Sequence, residues 1–506
     1  MSRATDHVDV AIVGSGPAGS AYARLICDQL PEARVLLIEA GQVVSQPPGA
    51  HVNTITDPGA RARAKLASQG PTQYSYGIAP AELRLLGHRS AGDGSIVPHT
   101  GLFFVGSTQE TSPDFPAASL ANNVGGMGAH WFCACPRPAG TERIGFLGEA
   151  TLDDALATAE RLLRVSATQF AGSEIAARRE GLLGALFDHG RAPDRRVQPM
   201  PLAVCRDAPG TGQSGPAVIL GPLLDGGHPQ FELRPGTLCR RVLMAGGRAI
   251  GVDLVDLASA RTYQIAADHV VLAADSLRTP QLLFCSGVRP AALGRQLNEH
   301  PFLSALVNLD EPPHELDDAE SDALMPASGV TWVPFDGDRF PMHAQLHQWS
   351  NLLAVGIFLP KEIGWHNRVE FSDAVLDWRG LPSMRVHYSL SDVDRARVNG
   401  AREVMALIAR AFAGAFRDER PRLMPAGTSL HYQGTVRMGV EDGTSVCDPH
   451  SRVWGTENLY VAGNGVIPTS TACNPTLTSV ALAVLGAHEV AGRLAGHRTR
   501  TARSHS

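Results

Sequence analysis

The stretch Val8-Asp9-Val10-Ala11-Ile12-Val13-Gly14-Ser15-Gly16-Pro17-Ala18-Gly19 decides the fold. Asp9 to Val13 is an apolar run of β type. It stops at a Gly14-x-Gly16-x-x-Gly19 turn and passes into a helix-like stretch, Ser20 to Gln29, with apolar residues at 21, 25 and 26. A second apolar strand, Val35 to Ile38, follows and ends in Glu39-Ala40-Gly41. Strand, glycine turn, helix and strand make a βαβ unit. Each glycine has its own task. Gly14 permits the tight turn, Gly16 lets backbone approach a pyrophosphate, and Gly19 lets helix and strand pack closely. The helix N-terminus then faces the phosphate charge. Glu39, at the end of the second strand, is placed to accept hydrogen bonds from ribose hydroxyls. The competing reading is a glycine-rich turn with no ligand. The strand, the helix and Glu39, all in place, weigh against it. The motif alone does not separate FAD from NAD.

The rest of the chain bounds the answer. Its 506 residues are too many for one core, so two or more domains are expected. Hydrophobic residues make up 44% and charged residues 19%, as in ordinary globular proteins. The net charge of -6, without a Lys/Arg run, argues against a nucleic-acid partner. The 52 Gly and 35 Pro imply a loop-rich α/β enzyme. The eight Cys are scattered with no C-x-x-C pair, so neither a metal site nor a disulfide framework is expected. The first residues show no signal-peptide apolar region, and no apolar run reaches the ~18–20 residues needed to span a bilayer. The expectation is a reduced, cytoplasmic, soluble enzyme without a membrane span.

Along the chain, helices are expected over 150–165, 175–189, 279–285, 392–416 and 474–494, with Pro475 near the first turn of the last. Residues 231–265 read as short antiparallel strands with a hairpin at Gly246-Gly247, and 305–390 as mostly β. The domain reading has six parts: 1–55 (first nucleotide-domain segment), 56–214 (mixed insertions), 215–304 (second nucleotide-domain segment), 305–450 (substrate domain), 451–496 (last nucleotide-domain segment) and 497–506 (flexible tail).

Four further segments carry a resemblance. Asn122-Asn123-Val124-Gly125-Gly126-Met127-Gly128-Ala129-His130-Trp131 places two glycines, able to lie flat against a planar ring, before a His and a Trp. Val270 to Leu283 is a strand, a turn at Ala274 and a short helix. Asn458 to Asn464 is a strand ending in Gly463-Asn464. Leu430-His431-Tyr432-Gln433-Gly434-Thr435-Val436-Arg437-Met438-Gly439 is followed downstream by Cys473-Asn474-Pro475-Thr476. Together these resemble the GMC (glucose–methanol–choline) flavoprotein family, in its pyranose oxidase and bacterial C-glycoside 3-oxidase branch. The resemblance implies an α/β fold. A Rossmann-like FAD-binding domain is built from discontinuous segments and joined to a substrate domain with a large antiparallel β-sheet. It implies FAD, contacted by Asn123, Gly125, Gly126, Met127, Trp131, Ala274, Gly463, Asn464, Pro475 and Thr476. Cys239 matches a position that contacts adenine through its backbone.

His130 stands where fungal members bond covalently to the flavin. Gly128-Ala129 and Phe132 depart from the fungal pattern, and a packed or hydrogen-bonded His130 is the alternative. Gly463-Asn464 replaces the usual Gly-Asp. His431 matches the catalytic His and Asn474 its partner. A His with a pKa near neutrality suits removal of a hydroxyl proton, while flavin N5 takes the hydride. The competing reading of Asn474 is a plain helix N-cap. In the β-rich middle, His343, Gln345, His347 and Trp349 are candidates for a sugar pocket, or else surface-strand residues. His300, in Asn298-Glu299-His300-Pro301, is read as shaping the domain junction.

The implied reaction is oxidation of a secondary hydroxyl (C2 or C3) of a pyranose or glycoside, with O2 or a quinone as acceptor. A dehydrogenase of another alcohol, such as a cyclitol or amino sugar, stays open, as does a flavoprotein without redox turnover. Oligomeric state is left open.

Overall fold

The computed structural model describes residues 7–69, 103–104, 114–205, 212–310, 328–377 and 379–504. Much of the turn-rich stretch read across 50–120 lies outside these.

Strand β1 (His7–Val13) is buried from Val8 onward, as an uninterrupted apolar strand covered on both faces must be. Helix α1 (Pro17–Gln29) follows, with Pro17 at its start, three residues before the sequence reading began it. The first sheet is completed by β2 (Val35–Ile38), β3 (Phe231–Arg234), β4 (Thr237–Ala245), β5 (Arg248–Asp256) and β6 (Thr262–Leu272). Their order is β3-β2-β1-β6-β5-β4, and Leu459–Val461 pairs with β6. β3, β2, β1, β6 and Leu459–Val461 are parallel, whereas β5 and β4 run antiparallel at one edge. Residues more than four hundred apart in sequence thus share one sheet.

A second sheet contains β7 (Phe302–Asn308), β8 (Val330–Val333), β9 (His343–Trp349) and β10 (Leu352–Phe358), in the order β7-β10-β9-β8 and antiparallel throughout. Short strands Ala415–Phe416 and Gln198–Pro199 extend its two sides. Successive side chains of a strand point to opposite faces. In β9, Ala344 and Leu346 enter an apolar core with β10 residues Leu353, Val355 and Ile357 and with Val398, Met405 and Ile408 of the helix Asp392–Ala411. His343, Gln345 and His347 therefore share the other face. They are 0%, 1% and 4% exposed, so that face is covered too. Three buried polar side chains in a row demand partners or a ligand.

The helix Asp392–Ala411 starts at a capping box. Ser391 Oγ accepts from Asp394 N and Asp394 Oδ2 accepts from Ser391 N. The last helix, Thr476–Ser504, packs with α1 against the first sheet through Leu477, Val480, Ala481 and Ala487. Its backbone is helical to Ser504, past Leu494 where the sequence reading ended it. No helix among the described residues is long and apolar enough to cross a membrane.

Candidate active site

Between the sheets lies a cleft of about 320 Å³. One end is made of backbone. Gly14 has φ +106, a left-handed conformation, and a Cβ there would sit 2.3 Å from the Ala273 carbonyl oxygen at the end of β6. Only glycine lets the turn pass under that strand. A Cβ at Gly19 would lie 1.9 Å from the Gly14 carbonyl oxygen, so helix and turn touch there. Gly16 differs: a Cβ on it meets no protein atom within 4 Å. Protein packing does not require glycine at 16, but a ligand lying on that backbone would. Gly125, at φ +91, brings the Gly125–Met127 turn alongside, and a Cβ on Gly126 would lie 3.6 Å from Gly16 Cα.

Glu39 is held from both sides. Ser15 N and Oγ donate to its Oε2 at 3.1 and 2.7 Å, and Gly41 N donates to Oε1 at 2.8 Å. Carboxylate oxygens accept more than one bond, so capacity for ribose hydroxyls remains. Ser15 Oγ also accepts from Gly125 N at 2.9 Å and ties the two glycine turns together. Cys239, Ala274, Gly463, Asn464 and Thr476 line the same cleft, as do Met127, His130 and Trp131. His130 Nε2 is buried without a hydrogen-bond partner, and burial lowers its pKa to about 3. These features fit a flavin dinucleotide: a bare backbone cradle, an acidic residue beyond it and an unsatisfied imidazole further along.

The other end is made of side chains. His431 Nε2 lies 3.4 Å from Asn474 Nδ2. Burial lowers the His431 pKa to about 3, not the near-neutral value expected from sequence, because the ring has lost its water. It is neutral at pH 7 and keeps a lone pair. Asn474 Oδ1 is buried with no hydrogen-bond partner, so it caps no helix N–H and the N-cap reading falls. Gln345, Phe358 and Phe302 line this end, with the two Phe rings stacked at 4.5 Å.

Two buried carboxylates hold the loops that deliver the pair. Glu299 accepts from Gly427 N at 2.6 Å and from Ser429 N and Oγ at 3.1 and 2.7 Å, just before His431. Glu142 accepts from Ala472 N and Cys473 N at 2.7 and 2.9 Å, just before Asn474. Burial raises the Glu299 pKa to about 7. Burial raises that of Glu142 as well.

Several expected residues stand behind the cleft wall. Asn123 is buried, and its amide donates to Val124 O and Gly126 O, bracing the flavin-side turn from within. Pro475 opens the last helix, where its carbonyl accepts from Ser479 N. His347 stacks on Trp349 at 5.6 Å and packs against Phe132 at 4.7 Å, and of these three only Phe132 lines the cleft. Of the expected sugar-pocket residues, Gln345 alone reaches it.

Sequence reasoning missed Glu142, Glu299, Phe358 and Arg379. Arg379, whose Nη2 bonds Asn122 Oδ1, lines the nucleotide end, and burial lowers its pKa to about 9. His300, read as shaping the domain junction, has its ring against that of His431 with centroids 4.9 Å apart, a contact the sequence reading did not give it. The available signal was that Asn298-Glu299-His300-Pro301 clusters three polar residues directly before a buried strand.

An α/β chain with this cleft is a nucleotide-dependent oxidoreductase, and comparison gives it a family. Residues 221–302 and 365–483 match the GMC oxidoreductase family models. The chain belongs to the GMC oxidoreductase family, and that membership implies FAD. It is 43% identical to a C-glycoside 3-oxidase of Microbacterium trichothecenolyticum, over 96% of this chain and 97% of the relative. It is 28% identical to the pyranose 2-oxidase of Tricholoma matsutake, over 96% and 94%. The crystal structure of pyridoxine 4-oxidase from Mesorbium loti shares the fold, with a TM-score of 0.66 and 18% identity over 96% of this chain and 99% of that one.

Proposed function

We propose that this protein oxidises a secondary hydroxyl, at C2 or C3, of a pyranose or its glycoside to a ketone, with FAD as the hydride acceptor. The observation that carries this is the neutral His431 imidazole paired with Asn474 at one end of a cleft whose other end is a dinucleotide cradle. The similarity to a C-glycoside 3-oxidase and, more distantly, a pyranose 2-oxidase favours a sugar substrate.

His431 Nε2 accepts the hydroxyl proton as the C–H hydride departs. Asn474 holds the same oxygen by its amide without competing for the proton. Gln345 Oε1, buried and without a hydrogen-bond partner, accepts from a neighbouring hydroxyl. Phe358, its ring 5.2 Å from that of His431, keeps water from the base. When bound, FAD supplies the two-electron acceptor, held by the Gly14–Gly19 turn, Glu39 and the Asn123–Trp131 turn. His130, which lines the cleft and has a buried Nε2 without a hydrogen-bond partner, would be the residue to attach the flavin covalently. Flavin that stays with acid-precipitated protein supports that link, and flavin released to the supernatant refutes it. O2 or a quinone takes the electrons onward. The eight free cysteines fit a reducing compartment, and the cytoplasm is part of this reading.

The test is an anaerobic flavin spectrum under glucose, other pyranoses, and O- and C-glycosides, added singly. Bleaching by one of them is expected. No bleaching by any, with ready bleaching by a non-sugar alcohol, would overturn the substrate class.

A further inference from the structure

We propose that His300 is a positioning residue that sets the tautomer of His431, so that the His431 Nε2 lone pair faces the reacting hydroxyl. The inference rests on the proposed role of His431 as base.

One chain of hydrogen-bonding atoms links His431 to His300, Thr471 and Gln433. As base, His431 must accept at Nε2, the nitrogen that Asn474 Nδ2 approaches to 3.4 Å. A neutral imidazole with an accepting Nε2 carries its hydrogen on Nδ1. His431 Nδ1 lies 3.1 Å from His300 Nδ1, which must therefore accept. His300 then carries its hydrogen on Nε2 and donates to Thr471 Oγ1 at 3.1 Å. The Thr471 hydroxyl passes the direction on to Gln433 Oε1 at 3.2 Å. One contact opposes this order: Gln433 Nε2 lies 3.2 Å from His300 Nε2 and 3.0 Å from Thr471 Oγ1, so the Gln433 amide must turn its oxygen there. The reverse run would start from Gln433 Nε2, 3.2 Å from His300 Nε2. It would end with an N–H on His431 Nε2, which leaves no lone pair there to take the substrate proton. His300 is 1% exposed, so no water substitutes for it. Its Nδ1 stays in place as an acceptor once His431 has taken the substrate proton, and gives the new imidazolium a hydrogen-bonded partner.

The test uses the full-length FAD-bound enzyme. In His300→Phe, the rate constant of anaerobic flavin reduction by the bleaching sugar is expected to fall ~100-fold, the scale of a lost base. FAD content and the apparent substrate Kd stay within about two-fold of the parent, an effect confined to the chemical step. His300→Gln, whose Oε1 can accept from His431 Nδ1–H, is expected to recover to within about five-fold of the parent. Equal rates in His300→Phe and the parent, or equal losses in His300→Phe and His300→Gln, overturn the proposal. If His300→Phe does not fold, Thr471→Val takes its place. It strips the acceptor from His300 Nε2–H and should slow reduction ~10-fold, whereas an unchanged rate overturns the proposal. A second readout needs no substrate. In ¹⁵N-histidine spectra, the signal lost in His431→Ala should show an unprotonated Nε2 in the parent, and a protonated Nε2 there overturns the proposal. Full activity in His431→Ala, by contrast, would sink the base assignment itself.

Discussion

The nucleotide cradle and the base pocket occupy one cleft but are built in opposite ways. The cradle is backbone. Gly14, Gly16 and Gly19 do their work by having no side chain, and all three fall within six consecutive positions. The pocket is side chains. His431, Asn474, His300, Gln345 and Phe358 arrive from four separate stretches of chain and are held by Glu299 and Glu142, themselves far apart in sequence. A phosphate-binding turn is a local conformational problem that a short motif can solve. A desolvated base needs neighbours on every side, and only tertiary packing supplies those.

That contrast can be broken most directly at the base. His431→Ala should retain FAD and lose ~10³-fold in substrate-driven flavin reduction, about 4 kcal/mol of barrier. Stopped-flow reduction near the parental rate would remove His431 from the mechanism. Next come the glycines, which should separate ligand from packing. A Cβ at position 16 meets no protein atom within 4 Å, so the Gly16→Val apoprotein should melt within about 2 °C of the parent, a shift small beside a single lost core contact. Its FAD affinity should still fall at least ~100-fold, because the side chain fills ligand space. Gly19→Val, forced against the Gly14 carbonyl, should lose both FAD and about 3 kcal/mol or more of stability. Equal melting temperatures in these two variants would show that the cradle is not divided in this way.

Acid should then expose the pocket. His343, His347 and His431 are each lowered from 6.5 to about 3 by burial. Between those values the unfolded chain binds protons that the native one refuses, so stability falls as pH drops below 6.5. Glu299, raised from 4.5 to about 7, works the other way and costs stability as pH rises across that range. With His51, His130 and His300 also lowered and Glu142, Glu180 and Asp275 also raised, six histidines outweigh four carboxyls, so the melting temperature should decline from pH 6.5 to 5. A flat profile would contradict the burial of the histidine face. The smallest effect belongs to the back of the wall. Trp349→Ala should change the apparent substrate KM by less than about three-fold, whereas Gln345→Ala should raise it ~10-fold, the scale of an orphaned buried hydrogen bond. Equal shifts would put Trp349 in the cleft.

Much of this molecule was legible in its sequence because its decisive signals are local. The Gly14–Gly19 turn, the paired glycines before His130, and the His431 and Asn474 segments are each short runs whose residue types follow from the chemistry. In the β-rich middle, His343, Gln345, His347 and Trp349 stood out by residue type, as polar and aromatic side chains suited to a sugar. Which of them reaches the ligand was not legible. His347 is separated from the cleft by Phe132, a residue more than two hundred positions away.

The sequence by itself determined the βαβ unit and, through short segments that resemble the GMC family, pointed to FAD and to the His431/Asn474 pair, because backbone conformation and residue chemistry act over a few neighbouring positions. Only the tertiary structure decided that His300 abuts the base, that Glu299 and Glu142 hold the two loops, and that His431 is neutral far below its usual range. Those properties depend on which distant residues exclude water from one imidazole, and burial is a property of the assembled chain.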